Sequence, residues 1–153
     1  MFALKVVMTP LPNIHPLGMF IMVLTVVYRV KALIPIYVYV ILEGLFYPGV
    51  WWFPYLYIWT ILWGITMLLP KKMPPAVAAA VYPTVCGIYG LLFGVLYAPA
   101  EAIIYGMSFK AMIAWIAMGT YFDLLHAIGN TAMGLLVLPL STVLLKLEKS
   151  TQK

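Results

Sequence analysis

The sequence predicts an all-α integral membrane protein: a single transmembrane domain over residues 1–153, built as a bundle of five to six helices with the first one truncated. Three observations carry this prediction. Apolar residues make up 65% of the chain, charged residues 8%, and the mean hydropathy is +1.06. Soluble domains carry about a quarter charged residues, so a solvated globule and a disordered tail are both excluded. The length fits one helical bundle and leaves no room for a soluble catalytic domain. Finally, the few charges stand in short clusters between apolar runs, the pattern that encodes orientation in a bilayer.

A bilayer core about 30 Å thick needs about 20 apolar residues per helix. The run from Phe2 to Thr9 is apolar but too short to cross. Leu17 to Val30 follows Pro10, Pro12 and Pro16. Ala32 to Tyr47 and Trp51 to Leu69 come next, and Lys71, Lys72, Pro74 and Pro75 make the clearest break. Ala76 to Tyr97 is a full-length span, and Ala98 to Ser108 reads as a mixed connector with Pro99, Glu101 and Gly106. Phe109 to Leu147 would reach about 58 Å as one helix, at about 1.5 Å per residue. A break is therefore expected near Gly119 and Thr120, with the main crossing from Tyr121 to Leu145. Pro139 inside that crossing is tolerable where neighbours re-satisfy the freed backbone.

The clusters alternate along the chain. Arg29 and Lys31, then Lys71 and Lys72, then Lys146, Lys149 and Lys153 are basic, while the 47–49 turn is uncharged and the 98–108 connector holds only Glu101. The positive-inside rule puts the basic segments and both termini in the cytoplasm of a multi-pass cell-membrane protein. Segments 9–16, 47–53 and 98–108 are then external, His15 is an external loop residue, and Lys5 lies on the ascending first helix. The net charge of +5 reports this orientation rather than a nucleic-acid partner.

Ionisable groups within spans are costly and are functional candidates by default. Glu43 lies near the outer end of its helix. Asp123, His126 and Asn130, at offsets of 3 and 7, share one face of the last helix. Three readings stay open for that face: hydrogen bonds that tie helices together, the polar wall of a ligand pocket, or a proton relay through Asp123 and His126. The aromatic patch Trp51, Trp52, Phe53, Tyr55, Tyr57 and Trp59 also has two readings. Such rings anchor proteins at membrane interfaces, and they also build slots for flat heterocycles. Gly87, Gly90 and Gly94 mark a close helix-packing seam, with partner docking as the alternative. A single cysteine, Cys86, makes no internal disulfide. No metal-ligand cluster, phosphate-cradling loop or hydrolase triad is present. Neither enzyme activity nor a cofactor is expected.

Two runs resemble a known family. Tyr121-Phe122-Asp123-Leu124-Leu125-His126-Ala127-Ile128-Gly129-Asn130, followed by Pro139-Leu140, is similar to the last helix of substrate-binding S components of energy-coupling factor (ECF) transporters. Leu42-Glu43-Gly44-Leu45-Phe46-Tyr47, Trp51-Trp52 and Tyr55 to Trp59 resemble the middle of a tryptophan-rich branch of that family, and Pro10 to Ile14 its first external loop. The resemblance implies a six-helix subunit with an external pocket for a small vitamin-like heterocycle. It also implies a transmembrane coupling protein and two ABC ATPase subunits as partners for ATP-driven uptake. The family motifs fall on Glu43, Trp51, Trp52, Tyr55, Asp123, His126 and Asn130, expected here to contact the ligand. Ala3 is the sole alanine before Pro10, a departure from the small-residue docking face of the family's first helix. The alternatives are a stand-alone proton-coupled secondary carrier and a structural membrane subunit.

Overall fold

A computed structural model describes residues 1–7 and 16–151. The expected first external loop, including His15, lies outside the described residues. The elements are α1 (Phe2–Val7), α2 (Leu17–Tyr28), a 3-10 turn over Arg29–Ala32, α3 (Leu33–Phe46), α4 (Tyr55–Leu68), α5 (Pro75–Leu91), α6 (Phe93–Ile104), α7 (Phe109–Gly134) and α8 (Val137–Thr151). There is no strand among the described residues. Three helical stretches are long and apolar enough to cross a membrane: Leu17–Phe46, Pro75–Ile104 and Phe109–Gly134. Tyr55–Leu68 is apolar but shorter.

Side-chain bonds fix the directions of the helices. The Tyr37 hydroxyl reaches the Leu56 carbonyl and Thr60 across α3 and α4, and Trp52 lies on Gly44 further along, so these two helices run antiparallel. The Tyr89 hydroxyl donates to the Ile58 carbonyl, and the Tyr97 hydroxyl to that of Trp51, so α5 and α6 run against α4. Asp123 meets Gly94, and Gly134 meets Pro83, so α7 returns along α6 and α5. The chain thus reverses after α3, α4 and α6, while α6 carries on in the direction of α5. Arg29 makes the first reversal with φ of 55°, a conformation unfavourable for a residue with a Cβ.

The core is built around α2, where Leu17, Met19, Ile21, Met22 and Val23 are buried. Ile36 and Val40 of α3, Ile58 and Leu62 of α4, and Tyr82, Cys86 and Tyr89 of α5 close on it. The outer surface is apolar as well: Met118, Tyr121, Phe122 and Ile128 of α7 are all exposed. Water would penalise such a surface, and hydrocarbon does not.

Two expected boundaries move. α7 passes through Gly119 and Thr120 without a break, and the Thr120 hydroxyl bonds back to the Ala117 carbonyl at 3.0 Å. The interruption falls at Leu135 and Leu136. Pro139 has no N–H and its ring crowds the carbonyl four residues back, that of Leu135, so the helix parts there. The connector expected at 98–108 is mostly helical, because α6 continues to Ile104. It ends with Gly106 at φ 62° and the Met107 amide bonded to the Ala102 carbonyl at 2.8 Å, a Schellman closure. The Ser108 hydroxyl then caps α7 by accepting from the Ala111 amide at 3.2 Å.

Candidate binding site

One end of the bundle gathers the α3–α4 turn, α1 and the middle of α7. Gly49 in that turn has φ of 147°, and a methyl group there would stand 2.9 Å from Trp51. This bend folds Trp51 back over the helices. Its ring meets Tyr47 at 6.2 Å and Tyr55 at 5.7 Å, both edge-on. From Tyr55 the rings continue to Trp59 at 5.5 Å and to Phe93 at 6.4 Å. Phe93 then meets the His126 imidazole at 4.8 Å.

The α5–α7 seam positions the polar face of α7. A methyl group at Gly90 would lie 2.7 Å from the His126 carbonyl, and one at Gly94 would lie 2.4 Å from Asp123. Only glycine lets the helices approach this closely. Asp123 is 6% exposed and accepts the Gly94 amide at 2.9 Å. Gly94 lies in the first turn of α6, where amides have no partner within their own helix. Asp123 therefore caps α6 from the neighbouring helix, and its charge faces the positive end of that helix. His126 Nδ1 lies 3.9 Å from the same carboxylate.

Lys5 of α1 pairs with Glu43 of α3. The Glu43 side chain is fully buried, while that of Lys5 is 15% exposed. The ammonium stands 5.1 Å from the Trp51 ring, 5.5 Å from Tyr47 and 5.9 Å from Tyr55, within cation–π range of all three. The buried Tyr39 hydroxyl faces the Glu43 carboxylate, and the Trp59 indole N–H is buried with no partner among the described residues.

Two cavities flank Phe93 and His126. The smaller, about 90 Å³, is lined by Lys5, Tyr55, Trp59, Phe93, His126 and Asn130, with Leu17 and Gly18. The larger, about 260 Å³, is lined by Tyr55, Phe93, Tyr97, Trp115, Asp123 and His126 among others. The larger approaches about 300 Å³, the lower end of small-molecule sites. A separate apolar groove of about 690 Å³ runs between α2 and α3 with Phe2 at its mouth.

The sequence-predicted residues divide accordingly. Tyr55 and His126 line both cavities, Asn130 the smaller and Asp123 the larger. Trp51 and Glu43 reach the smaller cavity through Lys5. Trp52 lies elsewhere: it stacks on Phe53 at 4.5 Å, and a methyl group at Gly44 would fall 2.7 Å from its ring. It packs against α3 and lines neither cavity. Sequence reading missed Lys5, Phe93, Tyr97 and Trp115. Lys5 was visible as a charge within an apolar run. Tyr89, Phe93 and Tyr97 repeat at every fourth residue, a ring stripe on one helix face. No group of acidic, histidine or cysteine side chains suited to a metal ion occurs among the described residues. Comparison with protein-family models, with curated proteins and with solved structures finds no match for this chain.

Proposed function

We propose that this chain is the substrate-binding subunit of an ECF-type transporter, capturing a small vitamin-like heterocycle for ATP-driven uptake by partner subunits. The observation that supports it best is the convergence of Tyr55, Trp59 and Phe93 with Lys5, Asp123, His126 and Asn130 on two adjoining cavities. Arg29, Lys71 and the Glu148 segment of α8 gather at the opposite end. Under the positive-inside rule that end is cytoplasmic and the cavities open outward. In this reading α2, α3, α4, α5–α6 and α7–α8 make five passes, with α1 packed beside α3. The partners in this reading are those the family resemblance implies, a transmembrane coupling protein and two ATPases that hydrolyse the ATP.

Purification of the chain in mild detergent, followed by mass analysis of bound compounds, tests this reading. A stoichiometric heterocycle supports it. No bound compound, together with no binding across a vitamin panel, refutes it. The Asp123–Gly94 bond favours a second reading, a structural membrane subunit whose polar face only joins helices. That reading predicts the second outcome.

A further inference from the structure

We infer that a cleft at the basic end of the bundle binds a phosphate-bearing anion, and that this anion is the headgroup of an acidic phospholipid. Free inorganic phosphate shares the chemistry, and the test separates the two sources. The inference rests on the membrane-embedded reading alone and stands whatever the cavities at the opposite end hold.

The cleft has a volume of about 220 Å³ and lies where α2 and α4 end and α5 begins. Arg29, Lys71 and Tyr82 line it with Thr66, Val26 and Leu69, and no acidic side chain does. The Arg29 guanidinium carries five N–H donors. Its Nη2 donates to the Met67 carbonyl at 2.9 Å, which fixes the group beside α4. Neither Arg29 nor Lys71 pairs with an acidic side chain among the described residues. Glu148, at the same end, accepts from the Tyr28 hydroxyl instead. Two cations that share a cleft without a carboxylate draw an anion from outside the chain.

Tyr82 gives a second, independent indication. It is 7% exposed, and its hydroxyl faces the Arg29 guanidinium. That hydroxyl makes no hydrogen bond among the described residues. The Thr66 hydroxyl beside it is already spent on the Leu62 carbonyl at 2.8 Å. A donor so enclosed and left without an acceptor is costly, and an anion held by Arg29 and Lys71 would supply the acceptor. Arg29 also keeps its φ of 55°, strain of the kind that gathers at ligand clamps.

The donors come from three places: the 3-10 turn, the α4–α5 turn and α5. Donors on separate elements suit an anion whose oxygens point in several directions, as those of a phosphate do, and a guanidinium fork matches phosphate oxygens. The surroundings favour a lipid over a free ion. Val26 and Leu69 give the cleft apolar flanks, and Leu68, next to Leu69, is 86% exposed. Acyl chains hanging from a bound headgroup would cover that surface, and a free ion would leave it bare. Basic pockets between spanning helices on the cytoplasmic side hold acidic headgroups, and the charge pattern assigns this end to that side.

The test uses the delipidated full chain in detergent. It is titrated with short-chain phosphatidylglycerol, short-chain phosphatidylcholine and inorganic phosphate, and native mass spectrometry counts the adducts. Phosphatidylglycerol is expected to bind at one per chain, at least fivefold tighter than phosphatidylcholine and at least tenfold tighter than inorganic phosphate. Arg29→Gln and Lys71→Gln should each weaken it at least fivefold, and Tyr82→Phe about threefold. Lys149→Gln, on α8 at the same end but outside the cleft, should leave it unchanged. Arg29→Gln also loses a bond to α4, so Lys71→Gln and Tyr82→Phe, at an unchanged melting temperature, keep the test independent of folding. None of these variants should alter binding at the aromatic end. Inorganic phosphate that binds as tightly as phosphatidylglycerol, and is lost in Lys71→Gln, keeps the phosphate site and overturns the lipid assignment. No binding of any probe, equal binding of the two lipids, or a phosphatidylglycerol preference that survives both Lys71→Gln and Tyr82→Phe overturns the whole inference.

Discussion

The two ends of the bundle treat their polar groups differently. At the basic end each group named here has a protein partner. The Arg29 guanidinium donates to the Met67 carbonyl at 2.9 Å, the Trp63 indole to the Arg29 carbonyl at 3.1 Å, and the Tyr28 hydroxyl to Glu148 at 2.8 Å. These bonds lock the ends of α2, α4 and α8 together. At the aromatic end the Tyr39 hydroxyl and the Glu43 carboxylate face each other, and the Trp59 N–H is buried without a partner among the described residues. Native interiors seldom leave such atoms unpaired. The difference teaches that the basic end uses its polar groups to join helices, while the aromatic end gathers polar groups and rings around cavities.

Substitutions sharpen that contrast, and the largest effect is expected at the seam that joins the site to the scaffold. Gly90→Leu would drive a side chain into the His126 backbone, which has no room to yield. It should lower the melting temperature in detergent by at least 10 °C, on the scale of about 3 kcal/mol or more, and abolish ligand binding. Glu43→Ala comes next. It leaves Lys5 without its carboxylate in a largely buried place, a change that costs about 3–5 kcal/mol. Thermal unfolding should show the loss, with much of it recovered in the double variant that removes both charges.

Asp123→Ala is smaller in stability and large in function. It orphans the Gly94 amide at the start of α6, at a cost of about 1–3 kcal/mol. It should weaken binding of the copurified ligand at least tenfold while membrane insertion is kept. Tyr55→Ala and Trp52→Ala form a matched pair in the aromatic turn. Tyr55 lines both cavities and Trp52 neither. Titration should therefore show at least a tenfold loss for Tyr55→Ala and less than threefold for Trp52→Ala. Smallest of all is Arg29→Ala at the basic end. It removes one bond to the Met67 carbonyl, about 1 kcal/mol, and should leave ligand affinity unchanged.

Some of this was legible in the residues alone. Asp123, His126 and Asn130 share a face because helical periodicity dictates it, and that face does turn inward toward α2, α5 and α6. Gly87, Gly90 and Gly94 do form a close packing seam, since small residues at that spacing leave a groove for a second helix. The basic clusters at 29 and 71 do meet at one end. The failures have physical causes too. Glycine at 119 suggests a break, yet a lone glycine costs a helix only about 1 kcal/mol, whereas Pro139 removes a donor and crowds a carbonyl. Trp51 and Trp52 are adjacent in sequence, so a turn sends their rings to different neighbours, Lys5 for one and Gly44 for the other. The Lys5–Glu43 pair joins residues far apart along the chain. Only tertiary packing brings them together, and no local pattern announces it.

The most direct test of the binding-subunit reading is native mass spectrometry of the full chain beside its Tyr55→Ala variant. The account predicts a single small-molecule adduct near one per chain on the native protein, absent from the variant. A bare native protein that also ignores every compound in a vitamin panel, or an adduct that survives loss of the Tyr55 ring undiminished, would contradict it.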